Sequence, residues 1–383
     1  MKQRLVIITE IISPYRIPLF NALAQRGDLD VHVLFLAETD PGLREWRVYK
    51  DEIRFSHEVL PSWRKRVGSH NFLINAGMAR ALDRARPDVI LCGGYNYLAS
   101  WLSLFWALRQ KIPFVLWSES VAQDLRPGLA LFELLKSEFL RQCNGFVVPG
   151  RSAHEYLQSL RIKEENIFTA VNAVDNELFR QGSERARSTA DGSRRELKLP
   201  QRYFLFVGRL VREKGVFELL SAYAGLEESL REEVGLVFVG DGDCRQKLEQ
   251  LAREIVPGKV SFAGFVQRDQ LPTYYALAEM LILPTYTDTW GLVVNEAMAC
   301  GLPVIVSQAA GCAADLVTDD WNGRTVAARD ESALRTAMRS LAADSALRAE
   351  LGLNSRRRIA EYSAQNWCEG IARMISAVGR NFG

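Results

Sequence analysis

The segment Leu281–Val306 limits the fold of this chain more than any other. It reads as an apolar run ending at Pro284, an acidic loop around Asp288, a short helix containing Glu296, a turn at Gly301 and a second apolar run. Two strands joined through one helix run parallel in the same sheet. The carboxyl ends of such strands and the amino ends of such helices bind phosphate groups in α/β proteins. We therefore expect a parallel α/β sheet with a ligand site near the two acids.

Strand and helix patterns alternate along the whole chain in two successive series, which is typical of parallel sheets flanked by helices. In the first series the predicted strands are 5–8, 31–35, 89–92, 114–117 and 145–148, and the predicted helices are 18–25, 71–85, 98–109 and 129–141. In the second series the predicted strands are 203–207, 236–239, 260–262, 280–283 and 304–306, and the predicted helices include 216–226, 245–254 and 271–278.

The two series are separated by residues 181–195, which are polar, charged and rich in Ser, Gly and Arg. This composition is typical of an exposed linker. We therefore predict an N-terminal domain of residues 1–179 and a C-terminal domain of residues 180–362. Residues 363–383 begin with an amphipathic helix pattern that carries Trp367 and Ile371 on one side.

Composition excludes several classes of protein. The chain has 383 residues, of which 48% are hydrophobic and 25% charged, as in soluble proteins of two domains. A net charge of +2 gives no strong field for nucleic acid. Six scattered cysteines and four dispersed histidines indicate neither a disulfide framework nor a zinc site, so a cytoplasmic location fits best. The apolar stretch Leu98–Leu108 is too short to span a bilayer, and the N-terminal apolar run is too short for a signal peptide.

A second motif follows the strand at 203–207. It runs Gly208-Arg209 and then Lys214-Gly215 before a helix begins. Two cations and the positive end of a helix dipole then converge on one point, which suits a diphosphate. Taken alone, the same pattern also fits two solvated side chains beside a turn.

Together the two motifs resemble the signature of the family 4 (group 1) retaining glycosyltransferases of the two-Rossmann GT-B type. In that family two glutamates are separated by seven residues, whereas here the first acid is Asp288. The resemblance is strongest from Gly208 to Gly323 and thin in the first domain. It implies two Rossmann-like domains facing across a cleft, with a C-terminal helix crossing back to the first domain. It also implies retaining transfer of a sugar from a UDP- or GDP-linked donor, without a cofactor or a metal.

The resemblance assigns roles to the donor-side residues. Arg209 and Lys214 neutralise the leaving diphosphate, Glu296 accepts hydrogen bonds from ribose hydroxyls and Asp288 holds a hydroxyl of the donor sugar. Asp288 also fits a plain acid at a helix N-terminus. The other donor-binding candidates are strand-end, helix-start and nucleobase-side residues: Gly208, Phe265, Val266, Trp290, Gly291, Leu292 and Val293.

The acceptor side departs further from the family. Many relatives carry a Gly-rich turn after the first strand and a histidine after a middle strand, and this chain has neither. Arg16 near the first helix fits either a phosphate ligand or an exposed loop charge. Glu119 follows a strand and can orient an acceptor hydroxyl and take its proton, or it belongs to a capping loop without chemistry. Ser118 and Tyr95 are further acceptor-side candidates.

The acceptor itself stays open between a glycan, a lipid-linked sugar and a small molecule. The basic cluster Trp63–Arg66 favours either a peripheral contact at the inner face of a membrane, as in polysaccharide biosynthesis, or a solvated loop. Two rival functions share the fold: a nucleotide-sugar epimerase or glycosyl phosphorylase, and a non-catalytic nucleotide-sugar-binding protein. No convincing pyridoxal lysine supports a phosphorylase.

Overall fold

The computed structural model describes residues 2–40, 45–67, 70–122 and 130–380; of residues 66, 67, 70, 71, 130–132 and 380 it describes the backbone alone. Packing divides the chain into unit 1, formed by Met1–Asn172 and Ala364–Gly383, and unit 2, formed by Ala173–Ser363. The first division lies between residues 172 and 173, whereas the sequence prediction placed it between 179 and 180. Phe179 is fully buried and contacts the Tyr275 ring at 6.1 Å, because the helix that carries it packs on unit 2.

The strands of unit 1 are β1 Gln3–Thr9, β2 Leu29–Phe35, β3 Ser56–Val59, β4 Ser62–Val67, β5 His70–Asn75, β6 Val89–Gly93, β7 Phe114–Trp117, β8 Gly145–Val148 and β9 Ile167–Thr169. Its helices are α1 Ile17–Ala24, α2 Met78–Ala85, α3 Leu98–Gln110, α4 Ala130–Gln142 and α5 Arg151–Ser159. Seven strands pair in parallel in the order β3-β2-β1-β6-β7-β8-β9, and β4 and β5 form a separate antiparallel hairpin.

The strands of unit 2 are β10 Tyr203–Val207, β11 Gly235–Val239, β12 Val260–Gly264, β13 Met280–Leu283, β14 Val304–Ser307 and β15 Gly323–Val326. Its helices are α6 Asn176–Ser188, α7 Ala190–Leu197, α8 Val216–Ala224, α9 Glu228–Glu233, α10 Arg245–Ile255, α11 Leu271–Leu277, α12 Leu292–Ala299, α13 Ala313–Leu316, α14 Glu331–Ala343 and α15 Ser345–Ile359. The six strands pair in parallel in the order β12-β11-β10-β13-β14-β15. The expectation of two Rossmann-like domains is confirmed.

The terminal helix α16, Ala364–Arg380, belongs to unit 1, which confirms that the chain crosses back to its first domain. It packs against α1, β8 and β9. Trp367 is completely buried there, with its ring 5.9 Å from Phe20 and 5.6 Å from Trp117. Within the residues that the structure describes, no helix is long and apolar enough to cross a membrane.

Two local predictions are wrong. Residues 71–85 do not form one helix, because their first part is strand β5 and only Met78–Ala85 is helical. Residues 181–195 are not a linker, because they lie mostly in α6 and α7. Small residues let α6 approach α11 closely, and a Cβ added at Gly182 would lie 2.6 Å from Pro272. The helix predicted at 129–141 is α4, and residue 129 lies outside the described residues.

Candidate functional site

The two main motifs meet at one point of the unit 2 sheet. The strand order reverses between β10 and β13, which lie side by side although β11 and β12 separate them in sequence. In open α/β sheets ligands bind at the carboxyl ends of the strands, at this reversal. The loop after β10 carries Arg209 and Lys214, and the loop after β13 carries Asp288. The topology therefore brings the predicted cations and the predicted acid together.

Lys214 and Asp288 form an ion pair between Nζ and Oδ2. Each side chain is 17% exposed, so the pair lies below the surface but remains open to solvent. Arg209 is exposed and forms no ion pair with any residue in the described part of the chain. Of these two predicted cations, Lys214 is neutralised by an acid, whereas Arg209 has no acidic partner among the described residues.

Backbone contacts hold the two loops together. Gly215 has φ of +67°, and a Cβ added there would lie 2.1 Å from the carbonyl oxygen of Pro284. Only glycine permits this conformation and this approach. The N–H of Tyr286 donates to the Glu213 carbonyl at 2.8 Å, and the Thr285 hydroxyl donates to the same carbonyl at 2.9 Å. These contacts explain why Lys214 reaches Asp288.

Helix α12 begins immediately after Asp288. Gly291, with φ of +98°, precedes its first residue, Leu292. The first N–H groups of a helix, here those of Leu292 and Val293, have no acceptor within the helix and carry a partial positive charge. The Trp290 ring is buried, and its Nε1 donates to Asn295 Oδ1 at 2.8 Å. Trp290 can therefore offer a ligand its backbone but not its indole.

Glu296 lies one turn into α12, as predicted, and is half-buried. Tyr275 of α11 is fully buried and donates its hydroxyl to Glu296 Oε2 at 2.6 Å. Burial raises the pKa of Glu296 to about 7, while the Tyr275 hydrogen bond and the charge of Arg268 act in the opposite direction. A carboxyl group close to half ionised at neutral pH therefore lies beside the helix start.

The nucleobase candidates follow β12. Phe265 is 39% exposed and Val266 is partly buried. The carbonyl of the neighbouring Gly264 accepts a hydrogen bond from the N–H of Gly240 at 2.7 Å, and the N–H of Gly208 donates to the carbonyl of Val239 at 3.0 Å. The loops after β10, β11 and β12 are thus held side by side, and Phe265 projects from them toward solvent.

In unit 1 the predicted acceptor-side residues also lie at the carboxyl edge of the sheet, where the order reverses between β1 and β6. Arg16, after β1, forms an ion pair with Glu119, after β7. Arg16 also donates to Asn172 Oδ1 at 2.9 Å, and its guanidinium lies 4.1 Å from the centre of the Trp117 ring. Arg16 is thus buried and not an exposed loop charge.

Ser118 directly precedes Glu119, and Tyr95 follows the neighbouring strand β6. Ser118 is buried, and its N–H donates to the Val147 carbonyl at 2.8 Å. Tyr95 is partly buried, 5.9 Å from the Phe139 ring, and burial raises the pKa of its phenol. The side chain of His70 lies outside the described residues.

Sequence reasoning missed two residues that shape these sites. Tyr275 and Asn172 bind the predicted residues Glu296 and Arg16 from positions far away in sequence. Neither lies in a recognisable motif, and only the pattern of strand and helix ends hints that they approach the site. Among the residues that are described, no group of three or more His, Cys, Asp or Glu side chains is placed to hold a metal ion.

Two family models match this chain. The model "Glycosyl transferases group 1" matches residues 190–358, and the model "Glycosyltransferase Family 4" matches residues 19–178. The chain belongs to the family 4 (group 1) glycosyltransferases. The two matches cover most of unit 2 and most of the first part of unit 1 respectively.

This family 4 glycosyltransferase is similar to several curated proteins. A D-inositol 3-phosphate glycosyltransferase of Corynebacterium jeikeium is 29% identical over 296 residues, 72% of this chain and 70% of that protein. An uncharacterized glycosyltransferase of Methanocaldococcus jannaschii is 33% identical over 168 residues, 44% of this chain and 42% of that protein. The teichuronic acid biosynthesis glycosyltransferase TuaC of Bacillus subtilis, whose assignment is putative, is 39% identical over 133 residues. The match covers 34% of this chain and 31% of that protein. The matches to the last two thus span less than half of those relatives.

Solved structures support the same fold. A sucrose-phosphate synthase of Thermosynechococcus elongatus has a TM-score of 0.77 and 22% identity, covering 98% of both chains. HepE of Anabaena in complex with UDP-glucose has a TM-score of 0.73 and 18% identity, covering 97% of this chain and 99% of that one. At such identities the likeness shows the two-domain GT-B fold of this glycosyltransferase and leaves its substrates open.

Proposed function

We propose that this glycosyltransferase moves a sugar from a nucleotide-diphosphate donor to an acceptor hydroxyl and retains the anomeric configuration. The observation that carries the proposal is the Lys214–Asp288 pair at the strand-order reversal, beside the start of α12. Cations and free N–H groups there suit a diphosphate, and Glu296 on the same helix suits the ribose. HepE, of the same fold, is in complex with UDP-glucose.

The ion pair suggests how the donor enters. Without donor, Lys214 and Asp288 neutralise each other. A bound diphosphate brings negative charge that competes for Lys214, so Asp288 is released toward a hydroxyl of the donor sugar. Arg209, exposed and free of ion pairs with the described residues, provides the second charge for the phosphates.

The proposed reaction needs no enzymic nucleophile. The bond between the anomeric carbon and the phosphate oxygen breaks, and the acceptor oxygen bonds the same carbon on the same face. The acceptor proton passes to the departing phosphate oxygen. Lys214, Arg209 and the α12 N–H groups stabilise the charge that develops on that oxygen. Glu119 is proposed to orient the acceptor hydroxyl, since its carboxylate is itself fixed by Arg16 and Asn172.

The proposal includes a sugar, lipid-linked or small-molecule acceptor and a peripheral contact with a membrane. Trp63 of the basic cluster is 57% exposed on strand β4, which supports this contact. Arg16 does not serve as a direct phosphate ligand in this proposal, because its guanidinium is already held by Glu119 and Asn172. We assign it to positioning Glu119.

A donor panel tests the proposed function. UDP- and GDP-linked sugars are screened by thermal shift, because a bound donor stabilises the folded protein by mass action. The donor that binds is then incubated with acceptors, and NMR of the product gives the anomeric configuration. Transfer with retention supports the proposal. Epimerisation of the donor supports the rival function of an epimerase. Binding with neither transfer nor slow hydrolysis supports a non-catalytic nucleotide-sugar-binding protein.

Activity is expected to survive chelation. The cations Arg209 and Lys214 already meet the phosphates in the proposed complex, so a divalent ion is not needed there. We expect turnover in excess EDTA to equal turnover without it. Complete loss with EDTA that manganese or magnesium restores would contradict the metal-independent mechanism.

Donor affinity is expected to fall as the pH drops below about 7, because the pKa of Glu296 is raised to about 7 and the ribose hydroxyls need an ionised acceptor. Protonated Glu296 must lose its proton on binding, so affinity falls by up to about tenfold per pH unit on the acidic side. Calorimetry with a nucleotide sugar measures this, since its doubly esterified diphosphate keeps its charge in this range.

Two variants sharpen the pH experiment. Glu296→Gln removes the titrating group, so its affinity should be lower but independent of pH. Tyr275→Phe removes the hydrogen bond that holds the pKa of Glu296 down, so the midpoint should move to higher pH. A wild-type protein whose donor affinity does not change with pH would exclude Glu296 as the ribose ligand.

The same raised pKa predicts how the stability of the ligand-free protein changes with pH. The pKa of this carboxyl rises from its ordinary value of 4.5 to about 7 in the folded protein, so the folded state binds the proton more tightly than the unfolded state. The contribution of this carboxyl to the free energy of unfolding is therefore most favourable at low pH and is lost as the pH rises through about 7.

A further inference from the structure

The hairpin β4–β5 presents an apolar face to solvent. In the antiparallel register Trp63 pairs with Ile74, and Lys65 pairs with Phe72. Alternation places these four side chains on one face, and the large apolar ones among them are 45–57% exposed. The opposite face is buried, since Leu73 is only 3% exposed. The hairpin therefore turns three large apolar side chains outward, a pattern that costs solubility unless something covers them.

Helix α3 presents a second apolar face beside the hairpin. Leu98, Leu102 and Phe105 recur at helical spacing on its outward side and are 54%, 42% and 61% exposed. Its inward side is buried through Leu104 and Ala107. Helix α3 packs against β5, so the two exposed apolar faces belong to neighbouring elements of unit 1. We call this combined surface, formed by Trp63, Phe72, Ile74, Leu98, Leu102 and Phe105, the apolar face of unit 1.

Positive charge predominates along this face. Residues 59–82 and 89–118, which contain both elements, include no Asp or Glu. Lys65, Arg109 and Lys111 are exposed there and form no ion pair with any described residue. At the border, the carboxylate of Asp83 accepts a hydrogen bond from Trp106 Nε1 at 2.9 Å. The face is thus apolar in its centre and cationic at its margin.

We propose that the apolar face of unit 1 docks onto an anionic lipid surface. Trp, Phe and Leu side chains flanked by Lys and Arg match the boundary between headgroups and acyl chains. A second copy of the chain fits less well. A twofold interface would press two faces of this kind together, so the cationic margins formed by Lys65, Arg109 and Lys111 would repel each other. Anionic headgroups instead pair with these cations.

This surface adjoins the acceptor-side loop. Trp101 of α3 donates its Nε1 to the carbonyl of Tyr95 at 3.1 Å, so the docking helix and the acceptor-side loop are fixed to each other. Resting on the proposed function, the inference therefore selects a lipid-linked acceptor. Docking itself depends on the face alone and not on sugar transfer.

The test is cosedimentation of the full chain with vesicles. One set is phosphatidylcholine alone, and the other contains about one third phosphatidylglycerol. We expect binding to the anionic vesicles that weakens with salt. The double variant Leu102→Glu with Phe105→Glu should bind about tenfold more weakly or worse, since it removes two inserting side chains and adds repulsion. The pair Lys65→Glu with Arg109→Glu should lose the preference for anionic lipid.

A matched control is Leu353→Glu on α15, where the wild-type side chain is 58% exposed outside the face. It should bind vesicles like the wild type. Donor affinity is measured for every variant by calorimetry; unchanged donor affinity with lost vesicle binding supports docking separately from the catalytic proposal. Equal binding of wild type and Leu102→Glu/Phe105→Glu overturns the inference. So does no vesicle binding by the wild type, or a concentration-dependent dimer that these substitutions abolish.

Discussion

Replacing Lys214 by alanine, or Arg209 by alanine, is expected to reduce turnover about a hundredfold or more, because removal of one preorganised charge from a developing oxyanion costs roughly 3 kcal/mol. Neither side chain belongs to the apolar core, and Lys214 is partly exposed, so both variants should remain folded. Steady-state kinetics with the donor identified by the panel measure the loss, and circular dichroism checks the fold.

Arg212 provides the matched control for this experiment. It lies in the same loop, but its side chain is 64% exposed and pairs with Glu218 at 3.4 Å, away from Asp288. Arg212→Ala should keep turnover within a few-fold of the wild type. Near-normal turnover in both Lys214→Ala and Arg209→Ala would remove the diphosphate assignment. A large loss in Arg212→Ala as well would point to a disturbed loop and not to charge stabilisation.

Alanine substitutions of the two acids, Glu296 and Asp288, are expected to weaken different parts of donor binding. Glu296→Ala should weaken the free nucleotide diphosphate and the full donor alike, because both contain the ribose. A lost charged hydrogen bond is worth about 1.5–3 kcal/mol, or roughly ten- to a hundredfold in affinity. Asp288→Ala should leave the affinity for the nucleotide diphosphate nearly intact and weaken the contribution of the sugar. Calorimetry with nucleotide diphosphate and with nucleotide sugar separates the two effects.

The Lys214–Asp288 ion pair adds a second signature. In Asp288→Ala, Lys214 has no acid to leave before it binds phosphate, so nucleotide affinity should be equal to or slightly above that of the wild type. Asp288→Glu restores the residue that the family carries at this position and should stay active, since the Trp290 ring is tied to Asn295 and not to the acid. Equal weakening of plain nucleotide by both alanine variants would make Asp288 a structural acid of the loop.

Most of unit 2 could be predicted from the sequence. Its strands are buried on both faces and therefore read as continuous apolar runs, such as β10 and β13. Parallel pairing then places the loops after those strands at one edge, so the meeting of Lys214 and Asp288 follows from topology. The predicted phosphate motif and acidic motif lie together because chain direction alone fixes which ends of the strands they occupy.

The features that were predicted wrongly or missed depend on contacts between segments far apart in sequence. The sequence of β5 has three consecutive apolar residues, Phe72, Leu73 and Ile74, so it lacks the alternation of an ordinary half-buried strand. Helix α6 has few apolar residues. At Gly182 the absence of a side chain lets the backbone of α6 approach Pro272 closely, so no large apolar residue marks the contact in the sequence. The hydrogen bond from Tyr275 to Glu296 needs the packed α11–α12 pair before it can be seen.

The return of α16 to unit 1 has a consequence for the order in which the chain folds on the ribosome. Unit 2 is one continuous segment, and its residues can pair as soon as they emerge. The first part of unit 1 emerges earlier, yet the place of Trp367 between Phe20 and Trp117 stays unfilled until residues 364–380 arrive. Contacts that span more than 300 residues are slow to form, so the domain synthesised first is the one completed last. During that interval its exposed apolar surface is available to chaperones.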